Sequence, residues 1–237
     1  MTFDPKQDGE VFLVDKPKDW TSFDVVAHLR TLLKKRHRLK RLKVGHAGTL
    51  DPMATGLLIC CSGRQTKRIQ EFQEAEKEYV ATLQLGYRTF TCDAESELIA
   101  EHSTKEVTDE RIEQLLPSFQ GTIQQVPPSH SAVRVNGKRA YEEARKGRDP
   151  GLGARTVKIH DIRVEASEIP ELTLRIRCGK GSYIRSIARD LGDRLGCGAY
   201  LSALRRTRIG DHLVEDARTI HELRASLRKD IDPEHGK

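Results

Sequence analysis

The sequence predicts an α+β protein with a mixed, largely antiparallel central sheet flanked by helices. Three observations carry that prediction. Residues 78–85 and 172–178 alternate apolar and polar, the pattern of strands with one buried face. Residues 22–33, 108–116 and 182–195 repeat apolar residues at helical spacing. Strands and helices also follow one another without the regular βαβ rhythm of a doubly wound sheet.

The elements read in order as follows. Val11 to Val14 is a short apolar run ended by Asp15-Lys16-Pro17, a buried strand and a turn. Thr21 or Ser22 can cap a helix whose apolar face is Val25, Val26, Leu29, Leu32 and Leu33. Leu57 to Cys61 reads as a strand, and Tyr79, Ala81, Leu83 and Leu85 share one face of the next. Thr108 starts a helix with Ile112, Leu115 and Leu116 inward. Residues 125–150 are basic, glycine-punctuated and poor in large apolar side chains, either a mobile arm or a long surface excursion. Leu172, Leu174, Ile176 and Cys178 form a strand face, and Gly179-Lys180-Gly181 then turns into a helix capped by Ser182.

Composition narrows the function classes. The chain has 237 residues, 37% hydrophobic and 32% charged, enough to bury a core. No apolar run approaches the ~20 residues of a membrane span, and the first ten residues hold no apolar signal core. Five cysteines, an odd number with no CxxC spacing, disfavour a disulfide framework or zinc knuckle and fit a reducing cytoplasm. The net charge of +6 is local, because Lys34, Lys35, Arg36, Arg38, Lys40, Arg41 and Lys43 fall within ten residues free of acids. Such a run suits RNA, DNA or an acidic membrane surface, or else is a solvated loop.

The densest candidate for chemistry is Gly45 to Gly56, GHAGTLDPMATG. Its glycines allow close backbone approach to a ligand, and Pro52 pushes Asp51 to an extended conformation. Asp51 is either a catalytic carboxylate on a rigid turn or an ordinary Asp-Pro turn initiator. His46, five residues away, either orders the loop or touches a ligand. Arg185 lies in the first turn of its helix, an unfavourable place for a cation unless an anion faces it. Tyr79 is a core tyrosine or a stacking platform for a base. Gly179-Lys180-Gly181-Ser182 fails as a phosphate loop, since position 174 is leucine and a glycine follows the lysine. The nine histidines include no HExxH and no close His/Cys cluster, so no metal site is expected.

Taken together these segments resemble the TruB family of tRNA pseudouridine synthases. GHAGTLDPMATG resembles the family signature, and VFLVDKPKDWTSFDVV (11–26) its opening strand and Lys-Pro turn. RQTKRI (64–69), Glu78-Tyr79, and Leu85-Gly86 to Asp93-Ala94 resemble the following blocks. Ser131-Ala132 with Gly137 to Tyr141 resembles an inserted thumb, and residues 178–210 the last catalytic block. The resemblance implies the pseudouridine synthase fold with an RNA-gripping thumb at about 125–150. It implies a catalytic domain over 11–225, between an N-terminal extension (1–10) and a short tail (226–237). The C-terminal RNA-binding PUA domain of longer members is expected to be absent.

It further implies cofactor-free and metal-free isomerisation of uridine 55 in the TΨC stem-loop of tRNA. No heptad seam suggests an obligate oligomer, so a monomer is expected, and no membrane partner. Asp51 matches the essential aspartate, Tyr79 the tyrosine that stacks on the base, and Arg185 the arginine that pairs with the aspartate. His46, Lys16, Lys67 and Tyr183 match RNA-binding positions. His130, where tyrosine is expected, and Phe90, Cys92 and Ser96 depart from the family pattern. A tRNA-folding chaperone using the same cleft is the alternative, and a nucleotide-binding enzyme using the glycine-rich loop a weaker one.

Overall fold

The computed structural model describes residues 4, 5, 7–131, 133–135 and 137–229. Ala132 and Asn136 of the expected thumb, parts of the N-terminal extension and most of the tail lie outside the described residues. The chain runs β1 (Val11–Lys16), α1 (Ser22–Arg36), β2 (Val44–His46), β3 (Thr55–Ser62), a 3-10 turn (Gly63–Arg68), α2 (Ile69–Glu74), β4 (Lys77–Leu85), β5 (Tyr87–Thr89) and β6 (Leu98–Glu101). It continues with α3 (Asp109–Leu115), β7 (Gly121–Gln125), β8 (Arg134–Val135), β9 (Lys138–Arg139), α4 (Ala140–Ala144), β10 (Arg155–Glu168) and β11 (Glu171–Cys178). Last come α5 (Ile184–Leu195), β12 (Ala199–Ile209), β13 (His212–Leu213), β14 (Arg218–Thr219) and α6 (Ile220–Lys229). This is the α+β class that the alternation and the absence of a βαβ rhythm predict.

The chain forms two compact units, one up to Lys77 and from Arg205 on, the other from Glu78 to Leu204. In the first, β1 pairs antiparallel with β3 and parallel with β14. β3 pairs antiparallel with β2 and, at Thr55 and Gly56, parallel with the end of β12. Helix α1 starts as its sequence requires. The Thr21 hydroxyl accepts from the Asp24 N–H (3.0 Å) while the Asp24 carboxylate accepts from the Thr21 N–H (2.9 Å), a capping box. Its apolar stripe, Val25, Val26, Leu29, Leu32 and Leu33, packs with Phe12 and Val14 of β1, Leu58 of β3 and Leu223 and Leu227 of α6. Lys34, Lys35 and Arg36 end the helix, where its dipole favours cations.

β3 is buried along nearly its whole length. Its Cys60 and Cys61 thiols are pushed up by burial to about 12 and about 11, so they sit in the core as inert small apolar groups. Gly56, at φ +99°, lets the β12 backbone come close: a β-carbon there would stand 2.3 Å from the Arg206 carbonyl oxygen. Gly56→Ala is therefore expected to cost roughly 2–4 kcal/mol, read as a lower urea midpoint at unchanged m-value.

In the second unit the sheet order is β4-β11-β10-β7. β10 is antiparallel to both β11 and β7, and Ser202 of β12 donates to the Thr82 carbonyl of β4 (3.0 Å). Thr108 caps α3 by accepting from the Arg111 N–H. The amphipathic helix α5 buries Ile184, Ile187, Ala188, Leu191 and Leu195 as its spacing predicts. The Ser182 cap is not formed: Tyr183 is the N-cap residue, without a side-chain bond, and the Ser182 hydroxyl is turned into the protein. Gln125 takes over, accepting from the Tyr183 N–H (2.8 Å) and donating to its carbonyl (3.1 Å). Within 125–150, β8 and β9 form a small hairpin followed by α4. Among the described residues no helix is long and apolar enough to cross a membrane.

Candidate active site

In the first unit Asp51 lies in the loop joining β2 to β3. The Ala54 N–H donates to the Asp51 carbonyl (3.1 Å), closing a β-turn with Pro52 second. Asp51 is thus a turn initiator, and its half-buried carboxylate is carried by a turn with few conformations open to it.

Three side chains hold this loop through its backbone. The Ser22 hydroxyl accepts from the Leu50 N–H (2.8 Å) and donates to the Leu50 carbonyl (3.0 Å). Arg206, 1% exposed, donates to the carbonyls of Leu57 (2.7 Å) and Gly48 (3.2 Å). Lys16, expected at the RNA surface, is instead wholly buried, and its ammonium donates to the carbonyls of Pro17 (2.9 Å), Trp20 (2.6 Å) and Pro52 (3.2 Å). Those are as many acceptors as an ammonium has hydrogens. The physical reason is that a tight loop leaves carbonyls outside any ladder, and buried carbonyls need donors. Lys16 at the end of β1 and Arg206 on β12 supply them.

His46 ends β2 beside this loop, half-buried, with a buried Nδ1 that has no partner among the described residues. Burial pushes its pKa below the usual histidine value, a hydrogen bond with the Gly48 backbone opposes that, and the Arg206 charge adds to the lowering. The folded chain then binds protons less readily here than the unfolded chain, whose histidine titrates near ~6.5. The His46 contribution is complete above that pH and is lost as pH falls from it toward the lower folded-state value. His46→Gln is expected to flatten the decline in melting temperature between about pH 7 and pH 5. Lys67, in the 63–68 turn, is exposed.

The second unit holds the other expected residues. Tyr79 shares its face of β4 with Lys77, Ala81, Leu83 and Leu85, yet they are buried and it is only half-buried. Arg185 is 7% exposed on its side chain; where the resemblance pairs it with Asp51, the carboxylate beside it within this unit is that of Asp93. The Asp93 carboxylate, fully buried, lies 3.2 Å away. The same guanidinium donates to the carbonyls of Thr91 (3.2 Å) and His130 (3.0 Å). Asp93 in turn accepts from the Glu95 N–H (3.0 Å) and the Thr91 hydroxyl. Tyr183 is half-buried at the start of α5, its backbone set by Gln125.

Comparison with known families takes this further. The profile described as TruB family pseudouridylate synthase (N terminal domain) matches residues 34–184, and that of the tRNA pseudouridylate synthase B C-terminal domain matches residues 185–234. The chain belongs to the TruB family. A tRNA pseudouridine synthase B of Phocaeicola vulgatus is 49% identical over 214 residues, covering 90% of this chain and 91% of that protein. One of Bacteroides thetaiotaomicron is 49% identical over 233 residues, covering 97% and 92%. Among solved structures, a chain of a Cbf5–Nop10–Gar1 complex is 32% identical with a TM-score of 0.70, covering 98% of this chain. A chain of an H/ACA ribonucleoprotein bound to a substrate RNA containing 2′-deoxyuridine is 30% identical, with a TM-score of 0.68 and the same coverage. This chain spans 57% and 56% of their lengths.

For this TruB-family chain the isomerase reading thus prevails over the chaperone and nucleotide-binding readings. Three residues of the architecture escaped the sequence reading as working parts: Ser22, Asp93 and Arg206. Arg206 carried a signal, since it follows the buried Leu204 at the alternation of β12. Asp93 carried none, as its partner Arg185 is far along the chain.

Proposed function

We propose that this chain converts uridine 55 of the TΨC stem-loop of tRNA to pseudouridine, in the cytoplasm and as a monomer, with Asp51 as the catalytic carboxylate. The observation that carries this reading is Asp51 on a turn held by Lys16, Ser22 and Arg206, inside the segment that resembles the family signature. The names of the relatives at 49% identity support the substrate.

The reaction breaks the bond between N1 and C1′, joins C5 to C1′, and moves one proton from C5 to solvent while N1 gains another. Atoms and electrons balance without oxidant or reductant, so no cofactor is needed. Asp51 begins it either by adding to C1′ or by taking the 2′ proton to give a glycal. Tyr79 stacks on the flipped base and assists loss of the C5 proton. Arg185 is the cation of the set, its guanidinium oriented by Asp93. His46, Lys67 and Tyr183 contact the RNA, and Lys16 acts through the loop it holds. Flipping the base costs a few kcal/mol, offset by phosphate contacts to basic side chains.

The test is tritium release from tRNA labelled at C5 of uridine, with chelator and no cofactor. One tritium per tRNA from wild type and none from Asp51→Ala supports the proposal. Release by both proteins, or by neither, sinks it.

A further inference from the structure

The segment from residue 25 to residue 70 contains eleven lysines and arginines and a single acid, Asp51. The fold arranges these cations in a definite way. After α1 the chain is pinned by Leu42, buried in the core, and by Leu39, packed against it. The Leu39 N–H donates back to the Lys34 carbonyl (2.9 Å), and Arg38 takes a left-handed conformation, φ +50°. Around these anchors Lys35, Arg38, Lys40, Arg41 and Lys43 are exposed. The Lys43 carbonyl accepts from the Gly63 N–H (2.9 Å), which brings the exposed Arg64 and Lys67 of the next turn alongside. Like charges on a pinned backbone repel one another, and a polyanion relieves that repulsion.

Two elements measure how far this ridge lies from Asp51. The residues of β3 run from Thr55, just after the Asp51 turn, to Ser62, just before Gly63. Eight strand residues at ~3.3 Å each put its ends about 23 Å apart. Helix α1 starts at Ser22, bonded to Leu50, and ends at Arg36 in the ridge. Its 15 residues at ~1.5 Å each span about 21 Å. The two lengths agree.

We infer that residues 34–43, with Arg64 and Lys67, form a phosphate-binding ridge that grips tRNA about 20 Å from the target uridine. On this proposal the ridge engages a part of the tRNA beyond the isolated TΨC stem-loop, which the comparison of the two RNAs tests. This rests on the proposed function for the identity of the RNA. Ridge contacts are electrostatic and sequence-independent, so they set affinity and its salt dependence.

The experiment compares wild type with K35Q/R38Q/K40Q/R41Q, four exposed positions, after matching their melting temperatures. Filter binding to full-length tRNA and to the excised TΨC stem-loop is measured from 50 to 200 mM salt, beside tritium release from both RNAs. The variant is expected to lose about tenfold or more in affinity for tRNA near 0.1 M salt. Its plot of log affinity against log salt should be shallower by about 3, up to about 3.6, since each of four lost phosphate contacts removes about 0.7–0.9. The preference for tRNA over the stem-loop should collapse, and K35R/K40R should keep it. An unchanged salt slope, or equal loss on both RNAs, would overturn the ridge. So would lost binding to phosphatidylserine vesicles with tRNA binding intact. If wild type releases no tritium yet binds tRNA through the ridge, the proposed activity fails and the ridge stands.

Discussion

Asp51→Asn is expected to abolish pseudouridine formation, by on the order of 10⁴-fold or more, while tRNA affinity stays within about threefold of wild type. The amide is nearly isosteric with the carboxylate but neither adds to C1′ nor takes a proton. The loop survives, because its anchors engage backbone groups: Lys16 on Pro52, Ser22 on Leu50, Arg206 on Gly48, and the Ala54 N–H on the Asp51 carbonyl. Asp51→Glu keeps the charge and lengthens the side chain by one methylene. Misplacement by about 1 Å costs about 10²-fold, so this variant should fall between. Single-turnover tritium release with each protein in excess over tRNA separates the chemical step from binding. An Asp51→Asn protein within tenfold of wild type would remove Asp51 from the mechanism.

Arg185→Met should destabilise the chain by about 3–5 kcal/mol, because it leaves the fully buried Asp93 carboxylate facing no guanidinium. The carbonyls of Thr91 and His130 lose their donor as well. For a chain of this size that lowers the melting temperature by roughly 10 °C. Arg185→Lys should recover only part of it, since an ammonium does not reproduce the planar fork across three acceptors. In Arg185→Met/Asp93→Asn the buried charge is gone, so stability should return substantially while pseudouridine formation stays lost. That split distinguishes a residue of the reaction from one that only holds the fold. If the double variant is as unstable as Arg185→Met, the Asp93 charge is not what Arg185 balances.

Much of this architecture was legible because it depends on neighbours in sequence. Thr21 with Asp24 forms a capping box, the stripe from Val25 to Leu33 is buried, and the strand and helix at 171–195 fall where their periodicities change. Asp-Pro predicts a turn, and the chain makes one at Asp51. Where local reading went astray, a distant group had intervened. Ser182 has the chemistry of a cap, but Gln125, 58 residues from Tyr183, satisfies the start of α5. Lys16 matches an RNA-binding position by resemblance, but the carbonyl of Pro52, 36 residues on, draws it inward.

The chain's own pattern was enough for the α+β class, for four strands and three helices in order but not for the long strands β10 and β12, for the local excess of positive charge and for the choice of Asp51 as the residue to watch. Periodicity, capping and turn chemistry are properties of a few consecutive residues, and they survive without the fold. The folded chain alone decided which side chains hold the Asp51 loop and that the Asp93 carboxylate lies beside Arg185. Arg206 reaches Leu57 across 149 residues, and Arg185 reaches Thr91 across 94. Contacts at such separations follow from which strands pair and which groups are left buried without partners, and no local pattern records that.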